Sequence, residues 1–138
     1  MNKEQIMEII PHRDAMLLVD EARVQDGVAF GKYTIRGDEW FLRGHFPDNP
    51  IVPGVVLCEM MAQAVCVLLA GGDMEGVTPY LTGLDKVRFK NSVLPGDTFE
   101  TECVITKSKG PFHFVKGKGS VNGKLCVSGE FSFAIKKG

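Results

Sequence analysis

The sequence lacks an excess of charge: sixteen basic residues stand against seventeen acidic ones, a formal net charge of −1. General nucleic-acid binding runs on a positive electrostatic footprint, so that class is excluded. The first ten residues, MNKEQIMEII, hold neither an apolar signal core nor a small-residue cleavage site, so nothing marks the chain for export. Long hydrophobic runs are scarce too. The one present, Val55 to Ala70, falls short of the roughly 20 residues a membrane span needs and carries Glu59 near its middle. Cysteine is sparse: Cys58 and Cys66 lie inside that run, and Cys103 and Cys126 in strand-like segments. With no CxxC pair and no histidine at ligand spacing, they read as reduced core or surface thiols of a cytoplasmic protein, with no metal site. No repeat, linker or low-complexity tract divides the 138 residues, so one domain over 1–138 is expected.

What is present centres on Gly44 to Gly72, GHFPDNPIVPGVVLCEMMAQAVCVLLAGG, a Pro-punctuated loop running into the apolar stretch. That stretch is too long for one strand and rich in helix formers, and a helix apolar on every side belongs inside a protein. Pro53 suits its first position, and Gly71-Gly72 its C-terminal stop. A single sheet covers only one side of such a helix, so a second copy of the chain is expected on the other.

Around the helix the chain reads as sheet. Asn2 with Gln5 three positions on marks a short helix with Ile6, Ile9 and Ile10 on one side, ended by Pro11. Met16 to Val24 and Val28 to Ile35 read as strands joined at Asp26-Gly27. After the helix, Tyr80 to Phe89, Thr98 to Lys107 and Phe112 to Val121 follow, and Asn122-Gly123 is a hairpin turn. The last segment alternates, with Leu125, Val127, Phe131, Phe133 and Ile135 on one face. The pattern predicts an α+β domain in which one helix lies in the concave side of an antiparallel sheet.

Three histidines could carry chemistry. His113, between Phe112 and Phe114, reads as an exposed strand residue, and His12 suits a turn-stabilising hydrogen bond as well as a role in a site. His45 lies nine residues before Gly54 and fourteen before Glu59, in a loop able to converge with the helix; by itself it could equally be a satisfied loop histidine. A lone buried carboxylate costs several kcal/mol unless paired or neutralised, so Glu59 is either a structural contact, with Gln63 or across an interface, or an acid with a raised pKa. Gly54 adds helix N-terminal N–H groups with no side chain in the way. Base, acid and oxyanion site together suit removal of a proton beside a carbonyl, with loss of a β-substituent.

Pro11-His12-Arg13 with Leu17-Leu18-Val19-Asp20, then GHFPDNPIVPGVVLCEMMAQA, YLTGLDKVRF and VLPGD, resemble the FabZ-type 3-hydroxyacyl-[acyl-carrier-protein] dehydratases of bacterial fatty-acid synthesis, in the same order and over nearly the whole chain. The resemblance implies a hot-dog fold, a long central helix wrapped by a curved antiparallel sheet. It implies a hydro-lyase in which His45 removes the α-proton of the 3-hydroxyacyl thioester, Glu59 assists departure of the hydroxyl as water, and the Gly54 N–H polarises the thioester carbonyl. Gln63 would support the acid, and the Ile51 carbonyl would orient the histidine ring.

In that family the two catalytic side chains of a site come from different subunits of a dimer, and dimers often assemble as trimers, giving a hexamer. The implied partner is acyl carrier protein, whose phosphopantetheine bears the substrate; no metal, redox cofactor, nucleic acid or membrane is called for. Glu59 favours plain dehydration, since the bifunctional dehydratase/isomerase usually has Asp there. Asp14-Ala15 stands where the family commonly has an aromatic residue and Pro, near the pocket mouth. Lys86, Arg88 and Lys90, expected on one strand face, and Lys107, Lys109, Lys116 and Lys118 are basic residues that a carrier could meet. An acyl-thioester thioesterase and a non-catalytic acyl-binding subunit are the alternatives on the same scaffold.

Overall fold

The chain is represented by a computed structural model, which describes residues 1–69 and 77–137. Helix α1 (Lys3–Met7) opens it, capped as the sequence predicts: Asn2 accepts from the Gln5 N–H at 3.0 Å, and the Gln5 side chain accepts from the Asn2 N–H at 2.9 Å. Strands β1 (Glu21–Gln25) and β2 (Val28–Thr34) form a hairpin through Asp26 and Gly27, both at positive φ. Helix α2 (Gly54–Val65) follows, then β3 (Val77–Phe89), β4 (Thr98–Lys109), β5 (Phe112–Val121) and β6 (Lys124–Lys137). All six strands pair antiparallel in the order β1-β2-β4-β5-β6-β3, which leaves β1 and β3 at the edges. One helix against one curved sheet is the expected hot-dog arrangement.

The inward faces follow from alternation. In β4, Phe99, Thr101 and Cys103 are buried; in β6, Val127, Phe131 and Phe133. Helix α2 sits close because β2 has Gly31 beneath it: a Cβ there would lie 2.6 Å from that of Ala64 and 2.7 Å from Thr101 Oγ1. Met60, Met61, Ala64 and Val65 of the helix complete the core.

Several expectations need correction. The first strand begins at Glu21 rather than Met16, because Leu17, Leu18 and Val19 are all buried, a pattern no two-faced strand has. The backbone there bonds to a helix side chain instead: the Leu18 N–H donates to Gln63 Oε1 at 2.9 Å, and Gln63 Nε2 donates to the Met16 carbonyl at 2.8 Å. Pro53 is the residue capping α2 rather than its first helical residue. The α-helix ends at Val65 and tightens into a 3₁₀ turn, Cys66–Leu69, and Gly71-Gly72 lie outside the described residues. Nor is the helix covered all round, since Val55 is 69% exposed. The basic alternation in β3 fails because Lys86 sits at φ 52° in a register shift between Asp85 and Arg88, and Lys90 lies past the strand's end. All four cysteines are buried and free.

Candidate active site

The loop before α2 is held by backbone bonds. Phe46 and Asn49 exchange N–H···O bonds of 3.2 and 3.0 Å, the Ile51 N–H donates to the His45 carbonyl at 2.8 Å, and the Val52 N–H donates to the Val93 carbonyl at 2.9 Å. This closed turn presents His45 with its ring Nδ1 3.0 Å from the Ile51 carbonyl. A carbonyl can only accept, so Nδ1 carries a proton, and in the neutral ring Nε2 then holds the lone pair, the form a base requires. The ring stacks on Phe46, with centroids 4.5 Å apart.

Gly54 is the first residue of α2, where N–H groups have no intrahelical partner. A Cβ at Gly54 would meet the Phe89 ring at 2.7 Å, so the absent side chain is what lets helix and ring approach. Val55 exposes its side chain beside it.

One helical turn on, Glu59 is three-quarters covered and Gln63, 1% exposed, donates to its Oε1 at 3.2 Å. Its other neighbour was not expected. His12 Nε2 lies 3.3 Å from the same oxygen. Of the two roles open to His12, the turn is instead closed by Arg13, which donates to the carbonyls of Met7, Ile10 and His12 at 2.8–2.9 Å. Burial by itself would raise the Glu59 pKa, but the hydrogen bonds from His12 and Gln63 and the charge of His12 outweigh it and bring the carboxyl below its ordinary range. The acid of raised pKa expected from the sequence is therefore not what a single chain presents. A cavity of about 40 Å³ adjoins it, lined by His12, Glu59, Gln63, Cys66, Leu81 and Phe133 among others.

Within one chain, among the described residues, no hydrogen bond or ion pair joins His45 to Glu59. His113 also differs from expectation. It is half-buried and stacked on Phe133 at 5.2 Å, with Ser108 Oγ 2.8 Å from its Nδ1, while Phe112 and Phe114 on either side of it are exposed. His12 is the site residue that sequence reasoning missed; forty-seven positions separate it from Glu59, and only the fold closes that distance. No described helix is long and apolar enough to cross a membrane, and no described cluster of three or more His, Cys, Asp or Glu side chains could hold a metal ion.

The model of the FabA-like domain matches residues 10–130. A curated relative from Clostridium perfringens, named as a 3-hydroxyacyl-[acyl-carrier-protein] dehydratase FabZ, is 47% identical over 98% of this chain and 99% of its own length. The chain belongs to the FabA-like family, among the FabZ-type dehydratases. Solved structures similar to this FabZ-type chain show the fold. The dehydratase heterocomplex ApeI:P from Xenorhabdus doucetiae matches at a TM-score of 0.83 and 21% identity, covering 96% of this chain and 91% of that one. A mutant of the fluoroacetyl-CoA-specific thioesterase FlK matches at 0.69 and 15%, covering 86% and 90%. Dehydratase and thioesterase share this architecture, so the residues placed on it must decide the chemistry.

Proposed function

We propose that the chain dehydrates (3R)-3-hydroxyacyl-[acyl-carrier-protein] to trans-2-enoyl-[acyl-carrier-protein] in fatty-acid biosynthesis. The observation that carries the reading is the half-site within a FabZ-type chain: His45 with Nδ1 on a carbonyl and Nε2 free, and a helix carboxyl held by Gln63. His45 Nε2 takes the proton from C2 of the thioester. Charge developing on the thioester oxygen is met by the Gly54 N–H at the start of α2. Glu59 gives a proton to the departing C3 hydroxyl, which leaves as water. Elimination of water changes no oxidation state overall and forms no bond to an electron carrier, so it calls for no redox cofactor. The acyl chain arrives on the phosphopantetheine of acyl carrier protein.

The site is completed by a second copy of the chain. Three features support this: His45 and Glu59 are not joined among the described residues of one chain, the cavity at Glu59 is far below the roughly 300 Å³ of a small-molecule pocket, and apolar side chains stand exposed on the helix start and on β3. These are Val55, Leu81, Leu84 and Phe89, and the outer edge of β3 pairs with no strand among the described residues. The working unit is then a homodimer with two shared sites, and three such dimers would make the hexamer. Among the basic residues, Lys86 and Lys118 are engaged with Glu130 and Glu102, leaving Arg88, Lys90, Lys107, Lys109 and Lys116 better placed to meet an acidic carrier. The protein works in the cytoplasm on this reading.

Purified protein should generate enoyl absorbance from 3-hydroxyacyl carrier substrate, and His45→Ala and Glu59→Gln should each abolish it while remaining folded. Release of free thiol instead would mark a thioesterase, and tight acyl-carrier binding without turnover a binding subunit. Refolding the two inactive variants together tests the shared site. Half of randomly mixed dimers carry one intact site, so about a quarter of the wild-type rate should return. No recovery would place both groups in one chain.

A further inference from the structure

Two donors converge on a single oxygen of Glu59. His12 Nε2 and Gln63 Nε2 both reach Oε1, at 3.3 and 3.2 Å, and no described residue donates to Oε2. The imidazole is itself constrained, since its Nδ1 is buried without a hydrogen-bond partner. A carboxyl oxygen at this distance can only accept from the ring, so the proton between them is carried on Nε2, while Nδ1 finds no partner among the described residues.

We propose that His12 is a positioning residue for the acid, its Nε2–H holding Oε1 of Glu59 so that Oε2 is left to the hydroxyl departing from the substrate. This rests on the dehydratase reading above. As His45 takes the C2 proton, the C2–H electrons form the double bond, the C3–O pair leaves with the oxygen, and that oxygen takes the proton from Oε2 to depart as water. Glu59 becomes a carboxylate in that step, and the His12 bond to it becomes charge-assisted and stronger. An interaction that strengthens along the reaction lowers its barrier.

No other described group is as well placed to act on this carboxyl. The surrounding cavity presents Pro79 and Leu81 from β3 and Phe133 from β6, none of which titrates; Gln63 is neutral, and the Cys66 thiol is pushed up to about 12, first by burial and then by Glu59 itself. The net lowering of Glu59 by its donors, against its burial, agrees with this geometry.

The test follows the Glu59 side-chain carboxyl by carbon-13 nuclear magnetic resonance through a pH titration, alongside the pH profile of kcat for enoyl formation. In His12→Ala the carboxyl should titrate about one pH unit higher, and the alkaline limb of kcat should move up with it. kcat should also fall about tenfold with KM little changed. His12→Gln, which keeps an N–H donor, should recover part of both effects, and His12→Leu serves in place of alanine if the alanine variant does not fold. An unmoved Glu59 titration in the folded alanine or leucine variant would overturn the role of His12. Absence of dehydration by wild-type protein would instead refute the reading of the reaction, while the titration would still report on the His12 contact.

Discussion

Gln63→Leu isolates the polar work of one buried side chain. Gln63 is 1% exposed and makes three hydrogen bonds, accepting from the Leu18 N–H at 2.9 Å and donating to the Met16 carbonyl at 2.8 Å and to Glu59 Oε1 at 3.2 Å. Leucine is close to it in volume, so the cavity contribution is small and the cost is that of stranded partners. The Leu18 N–H, on a residue 1% exposed, has no other acceptor among the described residues and should cost about 1–3 kcal/mol. Met16 is 42% exposed, so its carbonyl can turn to water and adds little. Glu59 keeps His12. The sum is about 1–3 kcal/mol, which for a chain of this length lowers Tm by about 4–10 °C. Urea unfolding at fixed protomer concentration measures it, and hydrogen exchange at the Leu18 amide should accelerate in parallel. A Gln63→Leu protein within about 0.5 kcal/mol of wild type, with Leu18 still protected, would refute the view that this side chain anchors the segment Leu17-Leu18-Val19.

Gly54→Ala places a Cβ into the Phe89 ring and should cost about 1–2 kcal/mol; in the double variant with Phe89→Ala, unfolding should show a cost smaller than the sum of the two. Asp20 accepts from the Thr34 N–H and from Arg36, at 2.8 and 2.7 Å, and lies 3.3 Å from Lys3; burial would raise its pKa, but these partners outweigh it and lower it. A folded pKa below the unfolded value stabilises above the unfolded pKa and is lost as pH falls through the folded one. Asp20→Asn should therefore cost about 1–2 kcal/mol at pH 7, and unfolding measurements should show the difference closing at acid pH. Burial first, and then Glu59 beside Cys66 and Glu102 beside Cys103, push those two thiols up to about 12; a thiol reagent should leave them unmodified in native protein and react with all four cysteines after unfolding.

Local chemistry made much of the fold legible in advance. The Asn2–Gln5 capping pair, the positive-φ turns at Asp26-Gly27 and Asn122-Gly123, and the alternation at the start of β4 are each set by neighbours a few residues away, and each stands where the sequence placed it, whereas in β6 a register shift at Cys126 takes Leu125 off the face of Val127, Phe131 and Phe133. Leu17 to Val19 misled for the complementary reason. Their hydrophobicity looks like a strand, but the Leu18 N–H goes to Gln63, more than forty positions on, and the Leu17 N–H to the Asp14 carbonyl. His113 was misplaced because inward and outward faces are settled by which side of the sheet α2 occupies, which the alternation of β5 alone does not specify.

The site divides the same way. His45, Ile51, Gly54, Glu59 and Gln63 fall within one short stretch, so their spacing along loop and helix was readable, and the Ile51–His45 and Gln63–Glu59 contacts are local. The protonation of Glu59 was not. Sequence alone supplied an acid in an apolar run, for which burial argues a raised pKa. The fold brings His12 from the far side of two strands onto Oε1, and His12 and Gln63 together outweigh desolvation. Whether a carboxyl is buried can be read from the residues on either side of it; what it is buried against is a long-range contact, and only the tertiary structure decides that.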